Sequence, residues 1–263
     1  MNRANGAAAT PRNGNESMQH VAGVALGSDI DDGYRSSARS EVLALLPPHE
    51  DGWKILEIGC GEGAFCTSVP GSGEIWGIEP YEPAARVAAA RLHKVFATTF
   101  ENIRAELPLK YFDLVICNDV IEHMTDHEAF LLAIQDHLAP GAHIVGSVPN
   151  VRFSGNLFNL IVARDWHYRA SGVLDRTHFR FFTLRSLRRS LEGAGLDVRH
   201  LDGLNRGGVI GWTARAIAER FFRGAILVLS LGSARDIDFY QIGFLAYFKG
   251  HPPSPDGGEI SPP

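Results

Sequence analysis

The sequence predicts a doubly wound α/β domain, in which a mostly parallel sheet carries helices on both faces. Short apolar segments alternate along the chain with segments of helical spacing, which is typical of such domains. A glycine-rich turn follows the first apolar segment directly. The chain has 263 residues, of which 45% are hydrophobic, so one large core is expected.

Seven strands are predicted, mostly parallel, with the last one antiparallel. Each is a short apolar segment, as expected of strands that are covered on both faces. A tight turn is predicted at 139–141, before the fifth strand. The predicted strands are 55–58, 74–79, 95–97, 112–117, 143–148, 196–201 and 238–248.

Three helices are predicted between these strands. Residues 82–92 are rich in alanine, which favours helix. Residues 126–138 place their apolar side chains on one face, and Thr125 with Glu128 forms a capping-box pattern at the start. Residues 184–194 repeat the helical spacing and end at glycines.

The domain is predicted to span residues 29–250. Within it, residues 151–182 follow the carboxyl end of the fifth strand, where open α/β sheets bind ligands, and are predicted to be a substrate lid. Residues 204–235 are predicted to be a helical cover. Residues 1–28 and 251–263 are rich in small and polar residues or in proline, so mobile tails are expected.

Composition excludes several classes of protein. The formal net charge of −5 indicates no general basic surface for nucleic acid. The three cysteines lack paired metal-ligand spacing, which favours buried, reduced thiols and a cytoplasmic location. No apolar segment reaches the roughly 20 residues of a spanning helix. Residues 213–231 mix arginines with apolar side chains, which fits peripheral membrane contact, a cover on the sheet or a homodimer contact.

The glycine-rich turn gives the strongest local signal. Gly59, Gly61 and Gly63 stand at alternate positions between a strand and a helix-like segment, so the backbone can approach a ligand closely. The acids Glu57 and Glu62 would repel a pyrophosphate, and the spacing departs from the dinucleotide fingerprint. A cationic ligand fits better.

A second acid, Glu79, ends the second strand, about 20 residues after the glycine turn. In nucleotide-binding α/β units, an acid at this place accepts hydrogen bonds from the ribose hydroxyls. The turn, the acid and their strand context together predict a nucleoside-like ligand with a positive charge.

These segments resemble those of the class I S-adenosylmethionine-dependent methyltransferases, which have a Rossmann-like fold. The resemblance covers roughly residues 34–249 and is strongest to small-molecule enzymes related to the ubiquinone-pathway O-methyltransferases. Residues 147–150 and 174–183 resemble a bacterial subgroup found with sugar and cell-surface polysaccharide pathways. The segments that resemble the general family motifs are 55–63, 75–80, 112–124 and 138–141.

The resemblance implies S-adenosylmethionine as the cofactor and S-adenosylhomocysteine as the product. Tyr34 and Arg39 stand where the family's N-terminal helix closes over the site, and Thr99 replaces an acid that many members carry near the adenine. The predicted cofactor contacts are Tyr34, Arg39, Glu57, Gly59, Cys60, Gly61, Glu79, Pro80, Thr99, Phe100, Asn118 and Asp119.

Methyl transfer to a hydroxyl is helped by a base near the hydroxyl proton, and histidine suits that role near neutral pH. His123 follows the fourth strand, and His178 lies in the predicted lid with Asp175 three residues before it. These three residues are the predicted catalytic groups, with Asp175 orienting an imidazole. The alternative for each histidine is a structural hydrogen bond. No metal is expected, because the adjacent side chains of Glu122 and His123 converge poorly.

The predicted lid is rich in arginines and aromatic residues, a composition that suits a sugar ring and a phosphate. The predicted acceptor is therefore a small molecule or a saccharide, such as a nucleotide-linked or lipid-linked sugar. The alternatives are a packed lid without this role, N- or C-methylation, or a cofactor-binding partner protein without activity. The predicted substrate-binding residues are Asn150, Trp166, Tyr168, Arg176 and Arg180.

Overall fold

The computed structural model describes residues 39–47, 51–207 and 212–248. The predicted tails and Tyr34 lie outside the described residues. Seven strands form one sheet, in the order β3-β2-β1-β4-β5-β7-β6. The strands are β1 (Trp53–Ile58), β2 (Ser72–Ile78), β3 (Lys94–Phe96), β4 (Phe112–Asn118), β5 (Leu138–Pro149), β6 (Asp197–Arg206) and β7 (Phe239–Tyr247).

The strand directions confirm the predicted fold class. Strands β1 to β5 pair in parallel, and β7 runs antiparallel to both of its neighbours, β5 and β6. The chain order reverses between β1 and β4, which lie side by side in the sheet. Ligands of doubly wound sheets bind beyond the carboxyl ends of the strands at such a reversal, so the candidate site is expected there.

Successive residues of the central strands pack alternately into two apolar cores, one on each face of the sheet. In β1, Leu56 belongs to one apolar cluster and Ile55 to the other, and both are fully buried. Val115 and Leu114 divide in the same way in β4. Burial on both faces explains why these strands read as continuous apolar segments in the sequence.

The helices lie between the strands as the alternation predicts, although their ends differ. The described α-helices are α1 (Ser40–Leu43), α2 (Glu82–Ala88), α3 (Phe100–Ile103), α4 (His127–Ala133), α5 (Ser154–Phe158), α6 (Leu184–Gly193) and α7 (Ala214–Leu229). The predicted helix 82–92 thus ends early, and the second half of the predicted helix 126–138 is a 3₁₀ turn, Ile134–His137.

The predicted capping box at the start of α4 is wrong. Asp126 is the cap, because its carboxylate accepts a hydrogen bond of 2.9 Å from the Ala129 amide. An aspartate one position later competes successfully with Thr125 for the first turn of the helix. The capping box of this chain lies at α6, where Thr183 and Ser186 exchange side-chain and backbone hydrogen bonds.

Three further expectations need correction. Residues 139–141 are not a separate turn but the start of β5, which begins at Leu138 with a bulge in its pairing to β4. The glycine-rich turn leads into a short 3₁₀ turn, Cys66–Ser68, rather than an α-helix. The predicted helical cover begins too early, because β6 continues to Arg206 and α7 starts at Ala214.

Helix α7 lies against α5, which belongs to the predicted lid, rather than flat on the sheet. Only Ala216 and Glu219 of this helix are buried, and Phe221 is 76% exposed. Over the part of the chain that the structure describes, no helix is long and apolar enough to cross a membrane.

Candidate active site

The glycine turn lies at the carboxyl end of β1, and its backbone requires glycine. Gly59, Gly61 and Gly63 have φ angles of 69°, 52° and 78°, where other residues are strained. A Cβ on Gly59 would also lie 2.7 Å from Cγ2 of Val120. The amide of Gly59 donates to the carbonyl of Ile78 over 2.8 Å, so the turn is fixed to the end of β2.

Glu79 joins this turn to the segment after β2. One carboxylate oxygen accepts a hydrogen bond of 2.9 Å from the Gly61 amide, and the other accepts one of 2.8 Å from the Tyr81 amide. The side chain is buried at the sheet edge. Glu79 thus lies beside the glycine turn, at the place where the sequence predicts that the ribose hydroxyls bind.

Two other side chains at this edge have buried polar atoms that lack a partner among the described residues. They are Oε2 of Glu57, in β1, and both amide atoms of Asn118, at the end of β4. Burial, as the largest cause, raises the pKa of Glu57 to about 8. The amino-acid end of S-adenosylmethionine would satisfy these atoms, because its ammonium group donates hydrogen bonds to carboxylate and amide oxygens and its carboxylate accepts from an amide nitrogen.

Arg39 and Asp119 are bonded to each other. The guanidinium donates to Asp119 over 3.0 Å and to the Ser147 hydroxyl over 3.0 Å. The other oxygen of Asp119 accepts from that hydroxyl, and the amide of Gln241 in β7 also donates to Asp119. Both predicted cofactor residues therefore belong to one hydrogen-bonded network that joins the end of β4 to β5 and β7. The network also holds the left-handed backbone of Asp119, with φ of 50°.

The remaining predicted cofactor residues divide into two groups. Pro80 and Thr99 lie at the ends of β2 and β3, at the same edge as Glu79. Phe100, however, is a core residue: it is 2% exposed and packs edge-on against Phe130. The prediction that Phe100 contacts the cofactor is therefore corrected. Cys60 is buried too, so only its backbone belongs to the turn.

The structure brings His123 and His178 together, although 55 positions separate them. Their ring centroids lie 4.6 Å apart at an angle of 73°. The prediction that Asp175 orients His178 is wrong, because Nδ1 of His178 lies 3.1 Å from the Val173 carbonyl. Asp175 instead accepts from the Thr177 hydroxyl over 2.6 Å, and that hydroxyl lies 3.1 Å from Nδ1 of His123.

Glu122 lies beside both histidines and is 1% exposed. Its backbone carbonyl accepts from the amides of Phe179 and Arg180, so it anchors the lid to the end of β4. Neither of its carboxylate oxygens has a hydrogen-bond partner among the described residues. Burial, as the largest cause, raises the pKa of Glu122 and lowers that of His123. One ligand atom from each of Glu122, His123 and His178 lies within 4.8 Å of the others, so these three residues are able to hold a metal ion.

The predicted acceptor contacts are not all available. Asn150 is 1% exposed, and its side chain bonds the carbonyls of Asp236 and Phe239 and the amide of Arg152. This buried amide joins the lid to β7 and is closed off from a substrate, which corrects the prediction.

The other four predicted acceptor contacts lie on the outer part of the lid. Trp166 packs edge-on against Phe181, and Tyr168 is tilted over the same ring. Arg176 is exposed, whereas Arg180 donates to the Thr125 carbonyl and lines a separate groove between α4 and α6.

Comparison with known proteins identifies the family. Residues 31–201 match the family described as "Methyltransferase domain". The chain belongs to this methyltransferase family. A ubiquinone biosynthesis O-methyltransferase of Rhodopseudomonas palustris (strain HaA2) is 30% identical over 165 residues, which are 58% of this chain and 62% of that protein. The chain thus spans less than two thirds of this relative.

Solved structures share the fold at low sequence identity. A SAM dependent methyltransferase from Archaeoglobus fulgidus aligns with a TM-score of 0.59 at 18% identity, over 81% of this chain and 94% of that one. An S-adenosylmethionine dependent methyltransferase from Mesorhizobium loti aligns at 0.54 and 16%, over 81% and 98%. These neighbours show the fold, and membership of the methyltransferase family agrees with S-adenosylmethionine as the predicted cofactor.

Sequence reasoning missed several residues of the site. Ser147 and Gln241 stand out as polar residues within apolar strands, and that was the available signal. Thr177 gave no signal, because its contact with His123 joins segments 54 positions apart.

Proposed function

We propose that this chain transfers a methyl group from S-adenosylmethionine to a hydroxyl oxygen of a small acceptor. The observation that carries the proposal is the pair of adjacent imidazoles, His123 and His178, which meet edge-on beyond the end of β4. Neutral imidazole and buried carboxylate groups suit the activation of a hydroxyl. The name of the ubiquinone biosynthesis relative points to oxygen as the methylated atom.

Each residue has a defined part in this proposal. Glu79 binds the ribose hydroxyls, Glu57 faces the ammonium group, and Asn118 hydrogen-bonds the methionine end. When bound, S-adenosylmethionine supplies an electrophilic methyl group on a sulfonium, and the protein supplies position. His123 and His178 act on the acceptor hydroxyl. Asp175 is a positioning residue, because it reaches His123 only through Thr177.

An acceptor screen tests the reaction. The purified chain is incubated with S-adenosylmethionine that carries a deuterated methyl group, together with phenols, nucleotide-linked sugars, lipid-linked sugars or amines, and products are found by mass spectrometry. We expect methylated oxygen in one of the hydroxyl classes. Methylated nitrogen or carbon would establish the alternative reaction. Tight cofactor binding without any transfer would favour a catalytically silent partner protein.

We propose further that residues 151–182 are a lid that selects the acceptor. Exposed Arg176 and Arg180, together with Trp166 and Tyr168, suit a sugar that carries a phosphate. Alanine at Arg176 or Arg180 is expected to raise the Michaelis constant of such an acceptor at an unchanged turnover number. Unchanged Michaelis constants in both variants would remove the saccharide from the proposal.

The exposed face of α7 favours a peripheral membrane contact. Phe221, Val228 and Leu229 are each more than 70% exposed, and three arginines lie on the same helix. We expect sedimentation with anionic vesicles and loss of sedimentation in Phe221→Glu. Leu109→Glu, which changes an exposed leucine elsewhere, is the matched control. A dimer in solution with no vesicle binding would assign the face to a homodimer instead. The cytoplasmic location stays a prediction.

A further inference from the structure

Three potential metal ligands meet at the carboxyl end of β4. Glu122 and His123 come from the 3₁₀ turn Ile121–His123 that follows this strand, and His178 comes from the lid. One ligand atom from each residue lies within 4.8 Å of the others. The lid is fixed at this place, because the amides of Phe179 and Arg180 donate to the Glu122 carbonyl over 2.9 and 3.0 Å.

The carboxylate of Glu122 lacks the hydrogen-bond partners that a buried acid normally has. The residue is 1% exposed, and both of its carboxylate oxygens are without a hydrogen-bond partner among the described residues. A buried polar group without a partner costs free energy, and a buried charge without one costs more. A cation bound at this carboxylate would remove that cost.

Each of the two histidines is held by a hydrogen bond at one ring nitrogen, which leaves the other for a ligand. Nδ1 of His178 lies 3.1 Å from the Val173 carbonyl, and Nδ1 of His123 lies 3.2 Å from the Thr177 carbonyl. A carbonyl oxygen only accepts, so each Nδ1 must carry the hydrogen. Each Nε2 then has a free lone pair. Metal-binding histidines are oriented by the same kind of hydrogen bond from the other ring nitrogen.

We propose that Glu122, His123 and His178 bind one divalent transition-metal cation, such as Zn²⁺. Two imidazoles and one carboxylate form a ligand set that suits Zn²⁺ and its neighbours in the first transition row. Three protein ligands leave a position for water or for an oxygen of the acceptor.

The role of the cation rests on the proposed O-methylation, whereas its binding does not. A hydroxyl oxygen that occupies the open position would lose its proton to solvent more readily, as water does on a bound metal. The histidines then act on the acceptor through the cation. Asp175 and Thr177 form the outer layer that fixes one of the ligands.

Cobalt binding tests the site directly. The untagged full chain is freed of metal with a chelator and titrated with Co²⁺, and the visible absorption bands of the bound ion are recorded. We expect saturation at one Co²⁺ per chain and displacement of the ion by Zn²⁺. Glu122→Gln and His178→Asn are expected to weaken binding by about a hundredfold or more. His127→Asn is the matched control, because this partly buried histidine contacts Ser190 outside the cluster.

Binding of S-adenosylhomocysteine by the same proteins separates the possible results. Wild type that binds the nucleoside but no Co²⁺ would overturn the metal site and leave the proposed methyl transfer standing. The metal site is also overturned if both variants bind the nucleoside and retain the wild-type affinity for Co²⁺. Loss of nucleoside binding in folded wild type would count against the proposed function instead. If Glu122→Gln fails to fold, the Co²⁺ titrations of wild type and of His178→Asn still test the metal site.

Discussion

The cofactor half and the acceptor half of the site differ in how their polar groups are held. Glu79 bonds two backbone amides, and the glycine turn is hydrogen-bonded to the end of β2. Glu122, in the acceptor half, is as deeply buried but has no partner at either carboxylate oxygen among the described residues. The turn and Glu79 in the first half are therefore preformed, although Glu57 and Asn118 beside them keep polar atoms for the ligand to satisfy. In the second half the central acid itself has no partner in the described part of the chain until something binds there.

Removing the central acid of the cofactor half should give the largest effect. In Glu79→Ala, two charge-assisted hydrogen bonds to the turn disappear together with the ribose contacts. We expect affinity for S-adenosylhomocysteine to fall by about a hundredfold or more. Calorimetry measures this effect. Glu82→Ala, an exposed acid that pairs only with Arg86, should bind like wild type. Equal affinities in the two variants would mean that the ligand lies elsewhere.

The preformed turn also depends on Gly59. Alanine at this position adds a methyl group 2.7 Å from Val120 in a left-handed backbone, so we expect a loss of about 2 kcal/mol in the free energy of unfolding. Gly193→Ala is the control, because a methyl group there has no neighbour within 4 Å. Urea denaturation compares the two. A Gly59→Ala protein as stable as wild type would show that the turn is not rigid.

A smaller effect is expected from the outer layer of the acceptor half. Thr177→Val keeps the shape of the side chain but removes the hydroxyl between Asp175 and His123. We expect about a tenfold loss of Co²⁺ affinity, with binding of S-adenosylhomocysteine unchanged. Thr98→Val, whose hydroxyl accepts only from Asn102, serves as the control. A parallel loss of nucleoside affinity would show that the two halves are not independent.

The smallest effect concerns pH. The pKa of Glu57 is about 8, and an ammonium group beside it favours the ionised carboxylate, so ligand binding lowers this pKa. Protons are then released on binding below pH 8, and affinity rises several-fold, roughly, between pH 6 and 8. Calorimetry in buffers of different ionisation enthalpy detects the released protons. If the ligand affinity of Glu57→Gln kept the same pH dependence, the released protons would come from another group.

The contrast between the two halves also explains what could be predicted from the sequence. The turn at Gly59 and the acid Glu79 each follow a strand directly, and the order of parallel strands brings these ends together. The strand positions followed from the buried apolar segments for the same reason. Local pattern and sheet topology were sufficient for this part of the molecule.

The wrongly predicted site residues share one physical cause. Their side chains make tertiary contacts with distant segments, and the local sequence pattern does not show such contacts. The sequence predicts that Phe100 contacts the cofactor, but its ring is buried in the core, where it packs edge-on against Phe130 of a later helix. It also predicts that Asn150 binds substrate, but β7 uses its amide. The cluster around Glu122 depends on how the lid folds back over β4, and no periodicity encodes that path.

The most direct test of the cofactor site is a calorimetric titration of the untagged wild-type chain with S-adenosylhomocysteine. We predict saturable binding of one equivalent with a dissociation constant in the micromolar range, with and without added metal. The absence of binding by protein that unfolds cooperatively would contradict this prediction and leave an α/β fold without its assigned ligand.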